Sequence, residues 1–209
     1  MMTFEPFNRT SRIAPPIQVE GMYLDDIEKG ESALEKIASK PNGKKLITKI
    51  QNASKDGREL KIQVSDQYQS EATAFLTEPQ LNKYHIADES SASNQIAIDI
   101  SQRKSFFRKG EGVKALVVWN PNEARSIDYM GHGRSVNDPS KAFTSLAHEL
   151  VHALGFMKGT HYFDGSEPEE GTRTFKEEQR AIGIGPFEGD KISENGIREE
   201  HGLPKRQEY

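Results

Sequence analysis

Residues 140–154 read Ser-Lys-Ala-Phe-Thr-Ser-Leu-Ala-His-Glu-Leu-Val-His-Ala-Leu and have the periodicity of a buried helix. Their apolar side chains form one wide stripe, typical of a helix that packs into a core: Phe143, Leu146, Ala147, Leu150, Val151 and Leu154. Asp138 and Pro139 precede the stretch and fit the N-cap and the first helical position. Gly155 follows it and predicts the end of the helix.

The same helix carries His148-Glu149-Leu-Val-His152, the H-E-x-x-H pattern that is typical of zinc metalloproteases. Histidines at positions i and i+4 lie one turn apart on one face, so both can bind one ion. Two imidazoles in a nearly apolar helix are costly unless they are satisfied, and a Zn²⁺ ion would satisfy them. Glu149 lies within reach of a water at the metal and can take its proton. We therefore predict His148 and His152 as zinc ligands and Glu149 as the catalytic base.

The position of a third ligand is open on spacing alone. Histidine three residues after Gly155 would define the metzincin class, but Lys158 occupies that position. His161 and Asp164 follow and could bind the metal. The better candidate lies on a later helix.

This later helix is predicted over Phe175–Gly183 and contains the adjacent carboxylates Glu177 and Glu178. Adjacent helical residues project about 100° apart, so only one of the two can face the ion. The segment resembles the third-ligand helix of gluzincins, particularly the clostridial neurotoxin light chains, in which a small residue follows the ligand by three positions, as Ala181 follows Glu178. The resemblance implies Glu178 as the third zinc ligand and Glu177 as a residue behind the ligands.

The end of the sequence, Arg206-Gln-Glu-Tyr209, has the R-x-x-Y spacing found in the same proteases. The resemblance implies that Arg206 and Tyr209 stabilise the oxyanion, a role that suits a cation and a phenol donor. Because a final residue frays easily, Tyr129 and Tyr162 remain alternative phenol donors.

The four pieces together resemble the bacterial type III effector proteases of the M91 peptidase family. These pieces are the H-E-x-x-H helix, the pair Gly159-Thr160, the helix with Glu177 and Glu178, and the tail from Ser193. The resemblance implies a zinc endopeptidase that is secreted by a bacterium and delivered into the cytoplasm of a host cell. Its expected substrate is a host signalling protein such as a MAP kinase, and a secretion apparatus or chaperone is a further expected partner.

The composition agrees with one soluble domain. The chain has 209 residues, of which 29% are charged, and a net charge of −4 that gives no reason to expect binding to nucleic acid. It has no cysteine, so any metal must be held by histidine and carboxylate. Since no apolar run is long enough to span a membrane, we expect no membrane insertion, and we expect a monomer.

The expected fold is α+β and zincin-like, with a small mixed sheet packed beside the H-E-x-x-H helix. We expect residues 1–24 to be a leader with little structure, where a secretion signal would lie, and residues 25–209 to form the catalytic domain. Within this domain we predict a helical region over Asp25–Ala53 that is interrupted at 40–43. Three strands are predicted over Arg58–Ser65, Asn94–Ile100 and Gly112–Asn120. The stretch Asn120–Asp138 is predicted to be a long loop that borders the cleft.

Two other hypotheses remain open. A zinc protease acting on bacterial or competitor proteins would keep the chemistry and change the substrate. A non-catalytic binding protein with structural zinc would need a fourth protein ligand, for which His161 and Asp164 are the candidates. The presence of Glu149 argues against the second, because a structural site needs no base.

Overall fold

A mixed five-stranded sheet forms the centre of the fold. The computed structural model describes residues 5–87, 91–105, 108–163 and 166–209. The strands are β1 (Phe7–Thr10), β2 (Gln18–Gly21), β3 (Leu60–Val64), β4 (Glu71–Phe75) and β5 (Lys114–Trp119), in the spatial order β1-β2-β3-β5-β4. The three inner strands are parallel, and β1 and β4 run antiparallel to their neighbours at the two edges.

Seven helices and a second, smaller sheet complete the described part of the chain. The helices are α1 (Leu24–Ala38), α2 (Pro41–Ala53), α3 (Glu78–Tyr84), α4 (Ser91–Ser101), α5 (Phe143–Lys158), α6 (Arg173–Ile182) and α7 (Glu194–Glu200). A short 3₁₀ turn covers Gly185–Phe187, and the second sheet is the antiparallel hairpin β6 (Glu123–Ile127) and β7 (Gly133–Asn137).

Helix α5 lies at the centre of the packing. It contacts β4 and β5 of the main sheet, the hairpin strand β6, and helices α1, α2, α4, α6 and α7. Between residues 143 and 157 only Ser145 and His148 are not fully buried. The helix start is tied to the sheet because the indole of Trp119 donates a hydrogen bond of 3.1 Å to the carbonyl of Ala142. A helix with apolar residues on nearly every side is expected to be enclosed in this way.

The predicted α+β class is confirmed, with a small mixed sheet beside the H-E-x-x-H helix. The helical region over Asp25–Ala53 forms α1 and α2. The interruption predicted at 40–43 lies at residues 39–40, because 41–43 already form the first turn of α2. The strand predictions over Arg58–Ser65 and Gly112–Asn120 correspond to β3 and β5. None of the helices in the described ranges combines the length and the apolar character that crossing a membrane requires.

The predicted strand over Asn94–Ile100 is wrong, because these residues belong to helix α4. The small residues Ser93, Ala97 and Ser101 are buried at i, i+4 spacing, which is the spacing of one helical face. The alternating isoleucines that suggested a strand are only partly buried and flank that face.

Two segments expected to lack regular structure form strands. Residues 7–10 and 18–21 of the expected leader are β1 and β2, and Val19 of β2 is fully buried in the core. The expectation of little structure is therefore wrong for this part of 1–24. The predicted loop over Asn120–Asp138 is largely the β6–β7 hairpin, although its residues do line the cleft described below.

Both ends of the H-E-x-x-H helix differ from the prediction. Asp138 and Pro139 do not start α5: the Asp138 carboxylate accepts the amide of Ser140 in a preceding turn, and the helix begins at Phe143. Gly155 does not end it, since Gly159 closes the helix with a φ of 62°.

Helix α7 is fixed to α2 by a carboxylate. Glu200 accepts the backbone amides of Asn42 at 2.7 Å and Gly43 at 2.9 Å, in the first turn of α2. These amides have no partner within their own helix, so Glu200 supplies the cap that α2 lacks locally. The contact also holds the helix that carries Glu194.

We expect Glu200→Gln to lower the free energy of unfolding by about 1 kcal/mol, because it weakens a charged helix cap. Urea unfolding followed by circular dichroism measures the change. Glu199→Gln is the matched control, since Glu199 is half-exposed and pairs only with surface lysines. Equal stability of the two variants would contradict the capping role.

Candidate active site

The two histidines of α5 and one glutamate of α6 bring three donor atoms together. His148 Nε2 and His152 Nε2 lie 3.0 Å apart. The two carboxylate oxygens of Glu178 lie 3.3 Å from His148 Nε2 and 3.4 Å from His152 Nε2. The structure thus brings together His148, His152 and Glu178, the three residues predicted to bind the metal.

This donor set fits a zinc ion. Ligand atoms held at tetrahedral angles around zinc lie about 3.3–3.6 Å from one another, close to the spacing found here. The electrostatic field also favours a cation. Burial opposes a charge on His148, but hydrogen bonds to Glu178 and Glu194 outweigh burial and raise its pKa to about 9. Despite burial, the two histidines hold the pKa of Glu178 far below its usual range.

Each of the two imidazoles is oriented from behind by a buried carboxylate. His148 Nδ1 lies 3.1 Å from Glu194 Oε2, and His152 Nδ1 lies 2.9 Å from Glu177 Oε1. A carboxylate at Nδ1 holds a proton there, so a metal ion that displaces the proton from Nε2 would bind the lone pair of that nitrogen. Both rings are therefore oriented with Nε2 toward the position that a metal ion would occupy.

Glu177 is the second carboxylate of the α6 pair and points away from the three donor atoms. Arg180 forms a short bidentate contact with it, and the backbone amide of Tyr162 donates to it at 3.0 Å. Against the effect of burial, the charge of Arg180 holds the pKa of Glu177 well below its usual range. Glu177 is thus a fixed anion that orients His152.

His161 does not join the three donors. Its ring stacks on Phe156 with centroids 4.0 Å apart, and its Nε2 lies 3.3 Å from Glu177. Burial lowers the pKa of His161 to about 3, so the ring is neutral. The alternative ligand Asp164 lies outside the described residues.

Gly155, predicted to end the helix, instead makes room behind the site. A Cβ atom there would lie 2.7 Å from Arg180 Nη2 and 3.4 Å from the ring of His161. A larger residue would push α6 away from α5, and with it the pair Glu177 and Glu178.

Glu149 lies beside the group formed by His148, His152 and Glu178 and does not belong to it. It is 9% exposed and lines the same cleft as His148 and His152. Burial raises the pKa of its carboxyl group, which makes it a stronger base than an exposed glutamate.

Glu194 connects the first histidine to two arginines. Its Oε2 accepts from Arg206 Nη1 at 3.0 Å, and its Oε1 accepts from Arg198 Nε at 2.7 Å. All three side chains are nearly completely buried. Burial opposes ionisation, but His148 and the two arginines hold the pKa of Glu194 well below its usual range. Arg206 therefore reaches the site through the same carboxylate that orients His148.

The C-terminal tail is held by backbone contacts on both sides of Arg206. The side-chain amide of Asn195 donates to the Arg206 carbonyl and accepts its amide, both at 2.8 Å. Gln207 donates its amide to the Gly131 carbonyl at 3.0 Å. At Gly131 the φ is 90° and a Cβ would lie 2.1 Å from the Gln207 side chain, so only glycine fits there. These contacts fix the tail against α7 and the hairpin.

Tyr209 also lines the cleft, 53% exposed, and its ring meets Phe175 edge to face at 6.4 Å. Burial raises the pKa of the phenol, so the hydroxyl keeps its proton at neutral pH. The two alternative phenols lie elsewhere: Tyr129 is 96% exposed at the hairpin tip, and Tyr162 packs beside Phe187. Neither lines the cleft.

The cleft around these residues has a volume of about 390 Å³. One wall is the edge strand β4 with the residues before it, Gln69 and Ser70, and another is β6 with Glu123 and Arg125. The amide of Ser70 donates to the Glu123 carboxylate at 2.7 Å and joins the two walls at one end.

Glu194, Arg198 and Asn195 were not identified from the sequence. Glu194 and Arg198 stand at i, i+4 spacing, which is typical of an exposed helical ion pair, so the sequence gives no sign of their burial. A histidine that binds a metal usually donates its second ring N–H to a carboxylate, so a carboxylate behind His148 could be expected. This rule does not say which residue of the sequence supplies it.

We expect Glu178→Gln to abolish tight zinc binding, since it removes a ligand charge. Glu177→Gln should weaken binding by about 10–100-fold, because it disturbs only the orientation of His152. It should also lower the melting temperature of the metal-free protein, since it leaves buried Arg180 without its anion. Metal titration and thermal unfolding of both variants provide the measurements. Stronger loss of zinc in Glu177→Gln would move the ligand to Glu177.

Comparison with known proteins identifies the family. The catalytic domain of Clostridium botulinum neurotoxin serotype F superimposes with a TM-score of 0.44 and 17% identity, over 83% of this chain and 45% of that one. For the light chain of the same serotype the TM-score is 0.43 and the identity 17%, over 83% and 48%. This chain thus matches about half the length of either structure, and no curated protein sequence matches it. Residues 17–209 match the profile of the Peptidase M91 family, described as effector protein. This match confirms the resemblance seen in the motifs: the chain belongs to the Peptidase M91 family of effector proteins.

Proposed function

We propose that this protein is a zinc-dependent endopeptidase in which His148, His152 and Glu178 hold the ion and Glu149 is the catalytic base. The convergence of two imidazoles and a carboxylate carries the proposal, because each imidazole has its second nitrogen fixed by a buried carboxylate. Membership of a peptidase family supports the reaction class.

Zinc bound by this donor set would polarise the scissile carbonyl and lower the pKa of an adjacent water to about 7. Glu149 accepts a proton from that water while the water oxygen forms a bond to the carbonyl carbon. It then passes the proton to the amide nitrogen as the carbon–nitrogen bond breaks. The raised pKa of Glu149 suits a group that must both take and return a proton.

Arg206 and Tyr209 are proposed to stabilise the negative charge that develops on the carbonyl oxygen. Arg206 is fixed by Glu194 and Asn195, so its cation needs little reorganisation during the reaction. Tyr209 is half-exposed and less constrained, and its protonated phenol can donate a hydrogen bond within the cleft that it lines.

The proposed substrate is a protein segment in extended conformation. The edge strand β4 borders the cleft, and an extended peptide can pair with such an edge. The resemblance to type III effectors supports secretion by a bacterium, action in the host cytoplasm and cleavage of a signalling protein such as a MAP kinase. These biological assignments rest on the family, whereas the reaction rests on the site.

The decisive experiment compares wild-type protein with Glu149→Gln on host-cell lysate, with mass spectrometry of new N-termini. We expect the variant to produce none of the wild-type cleavages, since its amide cannot take a proton. It should still bind one zinc ion, because Glu149 is not a ligand. Activity within about tenfold of wild type would reject the mechanism.

We expect Tyr209→Phe and Arg206→Lys each to lower kcat by roughly 10²–10³, with little change in KM, because their contacts form mainly in the transition state. Lysine keeps the charge but lacks the planar fork of arginine. Zinc content should remain near wild type in both variants.

Tyr129→Phe is the matched control for the phenol, since Tyr129 lies at the hairpin tip, outside the cleft. Full turnover by Tyr209→Phe would remove that hydroxyl from the mechanism. An equal loss in Tyr129→Phe would indicate an effect unrelated to the oxyanion.

A further inference from the structure

Arg125 is a cation of the cleft that the proposed mechanism does not use. It lies in the middle of β6, pairs with Ser135 of β7, and is half-buried. Side chains alternate along a strand, so Arg125 shares its face with Glu123 and lies opposite to buried Ala124. Glu123 and Arg125 line the same cleft as His148 and Glu149.

Every other arginine named at this site has an anionic partner. Arg180 binds Glu177, and Arg198 and Arg206 both bind Glu194. Across the described ranges, by contrast, the guanidinium of Arg125 has neither a hydrogen bond nor an ion pair.

The nearest acid on its own strand face is already engaged. Glu123 accepts the backbone amide of Ser70 at 2.7 Å, which directs its carboxylate toward the residues that precede β4. The acidic side chains of the site therefore bind groups other than Arg125. All five N–H donors of the Arg125 guanidinium remain available for a ligand.

The backbone of Arg125 is rigidly placed. Its carbonyl accepts from Nη2 of Arg198 at 3.0 Å, and Arg198 is only 1% exposed. The side-chain stem crosses the neighbouring strand above Gly133, where a Cβ would lie 4.0 Å from Arg125 Cδ and 3.5 Å from Arg206 Nε. That Arg206 Nε is itself buried without a hydrogen-bond partner. Two cationic side chains thus lie close together on one wall of the cleft with donors unused.

Partial burial of a guanidinium costs free energy unless an anion accompanies it. A planar donor fork binds the two oxygens of a carboxylate or phosphate in a bidentate manner. Because the position is fixed and the partner is missing from the described chain, we propose that Arg125 is a specificity-determining residue that binds an anionic side chain of the peptide substrate near the scissile bond.

This inference deepens the proposed function and rests on it. The ligand chemistry is a pair of anionic oxygens on a peptide side chain, supplied either by aspartate or glutamate or by a phosphorylated residue. A contact of this kind should favour an anionic substrate over its neutral counterpart by about 10- to 100-fold in kcat/KM.

The test starts with a peptide library made by digesting host-cell protein, cleaved by the zinc-loaded wild-type enzyme and read by mass spectrometry. We expect anionic residues to be enriched at one position near the cleaved bond. Synthetic peptides that differ only there, with glutamate, phosphoserine or glutamine, then give the three kcat/KM values. Whichever of the glutamate and phosphoserine peptides has the larger kcat/KM shows whether Arg125 prefers a carboxylate or a phosphate.

Substitution of Arg125 connects that preference to this residue. Arg125→Ala should bring the anionic-to-neutral ratio to within about twofold, and Arg125→Glu should reverse it in favour of a lysine-containing peptide. Arg134→Ala is the matched control, since Arg134 is exposed on the opposite face of the same hairpin, and the ratio should stay at the wild-type value. Anisotropy titration of the same peptides with Glu149→Gln protein should show the same order in affinity.

The outcomes separate the two proposals. If wild-type protein gives no cleavage that depends on Glu149, the proposed function fails and this inference fails with it. If cleavage depends on Glu149 but shows no anionic preference, or if Arg125→Ala and Arg125→Glu keep the preference, only the role of Arg125 is rejected. A preference lost in both variants and kept in Arg134→Ala supports it.

Discussion

The site depends on the requirement that two imidazoles inside a buried helix have partners for both ring nitrogens. In α5 the rings of His148 and His152 turn their Nε2 atoms toward each other and toward Glu178. Their Nδ1 atoms must then be satisfied from outside the helix. Glu194 of α7 and Glu177 of α6 provide this, so two further helices are held against α5 by one requirement. The position of each histidine therefore depends on how the helices pack in the core.

The same requirement explains the adjacent glutamates on α6. Side chains of neighbouring helical residues project about 100° apart, and the two carboxylates reach opposite nitrogens of His152. Glu178 faces Nε2 and the proposed metal position, whereas Glu177 faces Nδ1. For both carboxylates to reach the ring of His152, helices α5 and α6 must approach each other closely. Gly155 on α5 permits it, because any side chain there would meet Arg180, the cation that neutralises Glu177.

The sequence predicted the parts of this site that follow from periodicity within one element. The i, i+4 histidines and Glu149 between them needed only local rules. Local rules also predicted the short helix with Glu177 and Glu178, but the choice of Glu178 came from the resemblance to gluzincins. Glu194 could not be found in this way, because its role depends on how α7 docks beside α5. The fold shows the same division. The strands β3, which alternates clearly, and β5, which is more continuously apolar, were predicted, whereas α4 was taken for a strand because its isoleucines alternate. The contacts with β4 and α5 that favour its helical form are tertiary.

Positive charge is balanced unequally along the cleft. Glu194 neutralises part of the charge of Arg206 while it orients His148, so one buried carboxylate connects the histidine of α5 to the C-terminal tail. A change at either contact must disturb the other, because the carboxylate is anchored between them and is nearly inaccessible to water. Among the described residues, by contrast, no acid pairs with the guanidinium of Arg125. The acids around His148 and His152 thus balance the cations near them and leave Arg125 without an anionic partner in that part of the chain. If Arg125 binds the substrate as proposed, a peptide that supplies the missing anion would be held against this wall while its carbonyl lies at the proposed metal ligands, so the charge pattern would fix both the position and the side-chain preference of the substrate.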